Sequence, residues 1–370
     1  MMPWLTLNGR RIAPACFDEN NAADFSPYEW HTLQFCRQWL AGQESFVVPT
    51  SGSTGKPKAI TLQRERMRAS ARLTGRILGL RAGDTALACL STEHVAGLMM
   101  LVRGFELGLK LTVVTPSRNP LAACTEETRF DFAAFVPLQL QEILTATPAK
   151  KAILDCMRAI LVGGTPVDDC LLQQIATLEA PVYHTYGMTE TVSHIALRRL
   201  NGPQASDWFQ PLDGVEISLG PHDCLMVKSV LTGDRPLLTN DRIELGPNGS
   251  FRWLGRLDNA INSGGFKVQA EKVEKVLEQL LLQYPLLAGR RFFVGPLSHP
   301  QWTQAVVAVI EGPPMAPAVT AELRARLRQG WLHHYEVPRY FYFRPRLLET
   351  PTGKLDRRAN LAGLSVPAEG

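Results

Sequence analysis

Short apolar runs alternate with amphipathic stretches from residue 45 to about 184. SFVVP (45–49), TALACL (85–90), KLTVV (110–114), FDFAAFV (130–136), RAILVGG (158–164) and PVYH (181–184) predict strands, the first of them short and buried. Residues 64–78, 95–107, 138–144 and 167–178 predict the helices between; Met67, Ala71, Thr74 and Leu78 recur near helical spacing in the first. Apolar strands separated by amphipathic helices indicate a parallel sheet covered on both faces. In such a sheet a ligand belongs in the loops beyond the carboxyl ends of the strands.

The rhythm changes after residue 210. GVEISL and CLMVKS predict an antiparallel pair across GPHD, followed by a strand in SFRWLG, which makes a small β-subdomain. Beyond Gly255 a third pattern begins: a helix over 271–282, strands in RRFFV and AVVAVIE, a helix over 320–328 and a strand in YFYF. The expected fold is therefore α/β. A large N-terminal domain (1–256) carries parallel strands layered by helices and the β-subdomain; a small α+β C-terminal domain (257–370) follows.

Composition narrows the classes. Apolar residues at 45% and charged residues at 20% are ordinary globular values and speak against disorder. A net charge of +4, from 39 Lys and Arg against 35 Asp and Glu, is too weak to predict a nucleic-acid or membrane partner. The longest strongly apolar run, 96–102, ends at Arg103, far short of the ~20 residues a membrane span needs. No apolar stretch near the N-terminus suggests a signal peptide, and the seven scattered cysteines form no CxxC pair. A reduced, cytoplasmic chain is the expectation, and a homo-oligomer stays open. Neighbouring His333 and His334 lack acidic or cysteine partners at ligand spacing, so no metal role is expected of them.

Six segments carry candidate chemistry. TSGSTGKPK (50–58) follows a strand, and its glycines, hydroxyls and lysines suit either an anion cradle or a surface turn. It departs from the GxxxxGK[ST] loop of P-loop NTPases, having Thr50 at the first glycine and Pro57 after Lys56. YGMTE (186–190) offers an aromatic face, a hydroxyl and a carboxylate, or else a turn with a helix cap. VGGTP (162–166) allows close backbone approach, or a tight turn. TNDRI (239–243) holds Asp241, an acceptor for ribose hydroxyls or a turn aspartate. GRLDNAINSGGFK (255–267) and PTGKLDR (351–357) complete the set.

Together and in this order the six resemble the adenylate-forming superfamily of acyl- and aryl-CoA ligases, peptide-synthetase adenylation domains and luciferases. The resemblance spans about 45–358. It implies a two-step enzyme. A carboxylate attacks the α-phosphate of ATP, with Mg²⁺, to give an acyl-adenylate and pyrophosphate. The small domain then rotates, and a thiol, usually that of coenzyme A, displaces AMP. By motif match Lys354 is the catalytic cation between the two anions. Thr50, Ser51, Gly52, Ser53, Thr54, Gly55 and Lys58 cradle the β- and γ-phosphates. Thr189 touches the α-phosphate, and Glu190 holds Mg²⁺. Gly164, Thr165, Tyr186 and Gly187 wall the nucleotide, Asp241 and Arg256 hold the ribose, and Asp258 is the hinge. Ser263, Gly264 and Gly265 face the coenzyme A tunnel.

Only about 49 residues precede the phosphate loop, fewer than the family usually carries, which disfavours long-chain fatty acyl ligases. STEHVAGL (91–98) and GMTETVSHIALRRL (187–200) resemble the acid pocket of the o-succinylbenzoate–CoA ligase group of menaquinone synthesis. Such an acid has two carboxylates, so the one that does not react needs polar or cationic recognition. His94, Ser193, His194 and Arg198 are the candidates; His94 is equally a cap for the following helix, and Arg198 a solvated side chain. Another acid–CoA ligase or a carrier-loading adenylation enzyme shares all six segments. A nucleotide-binding regulator without catalysis is the reading from a different class.

Overall fold

The computed structural model describes residues 5–13, 19–49, 58–125, 127–233, 235–329, 332–350 and 355–367. Among these, nine α-helices follow in chain order: α1 Pro27–Leu40, α2 Arg64–Leu78, α3 Val95–Leu107, α4 Pro137–Ala146, α5 Lys151–Asp155, α6 Asp169–Ile175, α7 Ala270–Leu281, α8 Pro317–Arg328 and α9 Arg357–Leu361.

The largest sheet has nine strands. Six are mutually parallel, in the spatial order Val182–Gly187, Ala159–Val162, Phe132–Phe135, Thr85–Ala88, Lys110–Val113, Leu5–Leu7. His194–Arg199 and Gln210–Pro211 extend one edge antiparallel, and Arg10–Arg11 the other. Alternation of side chains along each strand divides the core in two. Ala86, Ala88, Phe132, Ala134 and Leu161 join the cluster beneath α1, α2 and α3, with Trp39, Met67 and Leu101. Leu87, Ala133, Phe135, Ile160 and Val162 join the opposite cluster, under Leu140 and Ile143 of α4 and Leu171 of α6. Strands buried on both faces explain the continuous apolar runs of the sequence.

A four-stranded antiparallel sheet follows, in the order Glu216–Leu219, Cys224–Lys228, Leu237–Leu245, Phe251–Arg256. A third sheet places Phe266–Gln269, Ala260–Ser263, Thr303–Glu311 and Phe292–His299 side by side, with Tyr340–Arg344 parallel to the third of these. Val306, Ala308 and Ile310 face Val273, Leu277, Leu323 and Leu327 of α7 and α8. Val307 and Val309 face Phe293 and Leu347 on the other side. The clusters before residue 256 and after 260 share no residue. Gln279 of α7 nonetheless donates to Asp169 of α6 at 3.3 Å, and Arg242 to Gln269 at 3.3 Å, so the late helix packs on the early unit.

The strand over 45–49 does not join the parallel sheet. It pairs antiparallel with Ala59–Gln63 in a two-stranded ribbon, and Val47 is 68% exposed. The nine residues 50–58 are too few for a parallel crossover, which takes a dozen or more. Helix α1 escaped the apolar pattern, yet its start is spelled out. Ser26 accepts from the Glu29 N–H, the Glu29 carboxylate accepts from the Ser26 N–H, and Pro27 opens the first turn.

Candidate active site

The strand Val182–Gly187 carries YGMTE at its carboxyl end, where the sheet places ligands. A side chain on Gly187 would put a carbon 2.2 Å from the Ser193 carbonyl, so only glycine lets the chain fold back this tightly. The fold-back is a single turn over Thr189–Thr191, in which the Thr191 hydroxyl accepts from Met188 N–H at 2.9 Å. Val192 then takes φ 66° and ψ −45°. A buried β-branched residue in that region is strained, and such strain is characteristic of sites whose surroundings over-determine it. The outcome is that Thr189 and the exposed Glu190 face outward, while Ser193 and buried His194 turn inward.

Tyr186 begins a polar cluster that reaches the second half of the chain. Its hydroxyl donates to Asp241 at 2.6 Å. Burial and the Asp241 charge push the Tyr186 hydroxyl far above its ordinary pKa, so it remains a proton donor. Trp253 Nε1 donates to the other Asp241 oxygen at 3.2 Å, and Arg256 Nη1 lies 3.6 Å from it. The antiparallel register sets Asp241 directly opposite Arg256. Arg256 forms a two-point pair with Asp258, at 2.9 and 2.8 Å. Its backbone carbonyl accepts from Gln269, and Glu271 takes Asn259 at 2.6 Å. Tyr186, Asp241, Arg256 and Asp258 are thus one connected unit spanning the change from the second sheet to the third.

His184 links the neighbouring wall. Arg198 Nη2 donates to His184 Nδ1 at 3.3 Å, which leaves Nε2 to donate to the Thr165 carbonyl at 3.3 Å. Burial, then the Arg198 charge, lowers the His184 pKa to about 4, so the ring is neutral and its tautomer fixed. Gly164 precedes at φ 92°. Arg198 also lies over Phe209 and 3.9 Å from Asp207; it is grouped with these residues, not with Ser193 and His194.

Ser193 and His194 meet a residue that the sequence reading passed over. Arg103, on α3, is 2% exposed. Its Nη2 donates to Ser193 Oγ at 2.9 Å and approaches His194 Nδ1 at 3.5 Å. Its Nε reaches Thr74 Oγ1 at 3.4 Å, and Nη1 meets the Met100 sulfur at 3.5 Å. Among the described residues no carboxylate pairs with it. Burial pushes the Arg103 pKa down to about 10, which still leaves it charged at neutral pH. Burial and then the arginine hold the His194 pKa well below its usual value. His94 occupies the N-cap position of α3, half-buried, with no side-chain cap hydrogen bond.

Ser263, Gly264 and Gly265 form the tip of the hairpin between Ala260–Ser263 and Phe266–Gln269. Both glycines have positive φ, 62° and 87°, which a two-residue hairpin of this hand requires. Thr50–Gly55 and Lys354 lie outside the described residues; Lys58, just after the first of these, is exposed. Downstream of Lys354, Arg357 Nη2 pairs with Glu274 of α7 at 2.9 Å. Among the described residues no cluster of three or more His, Cys, Asp or Glu could hold a metal alone. Glu190 offers one exposed carboxylate, a donor set that fits Mg²⁺ arriving with phosphates and water. No helix among them is long and apolar enough to cross a membrane.

The sequence profile of the AMP-binding enzyme family matches residues 17–219, and the chain belongs to that family. A 2-succinylbenzoate–CoA ligase of Salmonella typhimurium is 30% identical over 89% of this chain and 70% of its own length. The crystal structure of an acyl-CoA synthetase (AMP-forming)/AMP-acid ligase II-like protein from Dyadobacter fermentans is 40% identical. It covers 93% of this chain and 97% of its own, with a TM-score of 0.60. The o-succinylbenzoate CoA synthetase of Bacillus subtilis, solved with its acyl-adenylate intermediate, is 24% identical with a TM-score of 0.68, over 84% of this chain and 67% of that one, and shares the fold.

Proposed function

We propose that this chain is an AMP-forming acid–thiol ligase that converts o-succinylbenzoate, ATP and coenzyme A to the acyl-CoA, AMP and pyrophosphate through an acyl-adenylate. The observation that carries the reading is the connected unit Tyr186–Asp241–Arg256–Asp258, at the ligand end of a parallel sheet in an AMP-binding enzyme. An ionised carboxylate has about four acceptor directions, and Asp241 has three described donors. It retains capacity for ribose hydroxyls, with Arg256 beside it. Tyr186 and the Gly164–Thr165 backbone wall the base. Residues 50–58 take the outer phosphates, and Thr189 reaches the α-phosphate. Mg²⁺ held at Glu190 would draw charge from the phosphates when bound.

The first step joins two anions, so its barrier is chiefly electrostatic, and Lys354 is the cation placed to lower it. The second step needs a different arrangement of the small domain, 257–370, about Asp258. There the Gly264–Gly265 tip lets backbone come close to the thiol's arm. The named relative from Salmonella typhimurium supports this acid. So does the placement of Ser193 and His194 beside Arg103. The cytoplasm is the proposed location, and the acid, ATP and coenzyme A are the proposed small-molecule partners.

Incubation with ATP, coenzyme A and a panel of acids, scored by AMP release, tests the acid: o-succinylbenzoate is expected to lead, and preference for a monocarboxylic acid would overturn that choice. Lys354→Ala is expected to cut acyl-adenylate formation ~10²–10³-fold while thioester formation from supplied acyl-adenylate survives. Equal loss of both half-reactions would remove the lysine from this role.

A further inference from the structure

We propose that Glu271, together with Gln269, is a positioning residue for the two-step reaction: it clamps the connector 255–259, holds the small domain in the arrangement seen here, and so sets the balance between the half-reactions. This rests on the reading of the chain as a ligase whose small domain turns about Asp258, and names what that turn must break.

The connector leaves the second sheet at Arg256, makes a single turn over Leu257–Asn259 and enters the third sheet at Ala260. Among the described residues no strand ladder joins those two sheets. Side-chain bonds cross between them instead. Gln269 Nε2 donates to the Arg256 carbonyl at 2.8 Å and to Glu271 Oε2 at 2.5 Å, while its Oε1 accepts from Arg242 Nη1 at 3.3 Å. Glu271 Oε1 accepts from Asn259 Nδ2 at 2.6 Å and from the Arg256 N–H at 3.4 Å. Both main-chain polar groups of Arg256 therefore bond to side chains of the later unit. A helix N-terminus favours an acid in its first turn, where Glu271 stands, but that preference asks for no partner. Here three donors converge on one carboxylate. Only a group that accepts through two oxygens and donates nothing answers all three; a glutamine would turn its own N–H groups toward one of them.

The fit is close. Gly255 has φ 133°, and a Cβ there would overlap the Glu271 carboxylate and the Gln269 amide, so the connector is glycine where the clamp closes on it. The arms of the clamp belong to the small domain. Gln269 lies opposite Ala260 in the third sheet, and its neighbours Val268, Ala270 and Val273 sit in that domain's core. What they grip belongs to the second sheet, where Arg242 pairs with Gly255 and Arg256 with Asp241. A rotation within 257–259 moves residues 269 and 271 away from 242 and 256, so these bonds cannot survive it. A net side-chain hydrogen bond shifts an equilibrium about two- to tenfold. A few of them bias the orientation and still open during turnover. Because Arg256 also pairs with Asp258 and approaches Asp241, the clamp ties the orientation of the small domain to the proposed ribose site.

The experiment measures the half-reactions separately: pyrophosphate–ATP exchange with o-succinylbenzoate for the first, and thioester formation from supplied acyl-adenylate and coenzyme A for the second. Glu271→Ala and Glu271→Gln are expected to change the ratio of the two rates about tenfold, in the same direction. Gln269→Ala is expected to move it the same way. Glu271→Gln keeps the size of the side chain, so it reads the clamp even if the alanine variant does not fold. A residue that served only to stabilise the fold would lower both rates alike. A ratio in Glu271→Gln that stays within about fivefold of wild type, whether both rates fall together or neither changes, would overturn the inference while leaving the ligase reading intact. Absence of exchange by wild type with any acid would instead overturn the ligase reading.

Discussion

Two buried charged groups adjoin the carboxyl end of the strand Val182–Gly187, one through Tyr186 and one through Ser193, and they are solved differently. Around Asp241 every charge has an answer: Tyr186, Trp253 and Arg256 serve the aspartate, and Asp258 serves Arg256. Around Arg103, the partners among the described residues are all neutral. A closed network holds two segments of chain in place whether or not a ligand is present. A buried cation without a described counter-charge contributes little to stability. The contrast separates a polar network neutralised within the fold from a buried cation held by neutral groups.

Removing the aspartate should produce the larger effect. Asp241→Ala leaves Arg256 without one of its anions and the Tyr186 hydroxyl without its acceptor. We expect a loss of about 3 kcal/mol, read as a lower urea midpoint with unchanged slope. Arg103→Met, similar in volume and apolar, should move the other way or not at all, by at most about 1 kcal/mol of gained stability. If the two variants destabilise equally, the contrast fails and Arg103 is a structural cation like Arg256.

A smaller effect concerns how the two units touch. Burial, then Asp168 and Asp169 of the facing α6, raises the Glu278 pKa to about 7. Released from the contact, Glu278 returns toward the ordinary value of 4.5. The docked form therefore holds its proton more tightly, and docking is favoured at low pH. The contact weakens as pH rises from 4.5 to about 7 and levels off above. Part of the group is solvated, so the change in docking equilibrium should be no more than about tenfold. A fluorophore pair across α6 and α7 would report it, and Glu278→Gln should flatten the profile. A pH-independent signal in the wild type would contradict the like-charge contact.

Much of this architecture was legible in the chain. Strands such as Phe132–Phe135 and Ala159–Val162 are buried on both faces and so read as unbroken apolar runs. The segment 45–49 looked the same over five residues, and only its distance from Ala59 reveals an antiparallel ribbon. Strand His194–Arg199 went unread because its arginines Arg198 and Arg199 mask the apolar run before them. Tyr186, Asp241, Arg256 and Asp258 were each singled out by their motifs, but that they touch is a matter of register between distant strands. Arg103 carried the opposite signal. It ends an apolar run, and Glu106 three residues on looks like its local partner. Tertiary packing gives that carboxylate to Arg68 and Arg72 and turns Arg103 inward. Unpaired burial is a property of three helix and strand neighbours together, and no window of sequence contains it.

The most direct test of the whole account needs neither coenzyme A nor a variant. Labelled pyrophosphate is mixed with the enzyme and ATP, with and without o-succinylbenzoate, and label entering ATP is followed. Reversible acyl-adenylate formation predicts exchange that appears only when the acid is added. Exchange that ignores the acid, or none in its presence, would contradict an acyl-adenylate at this site.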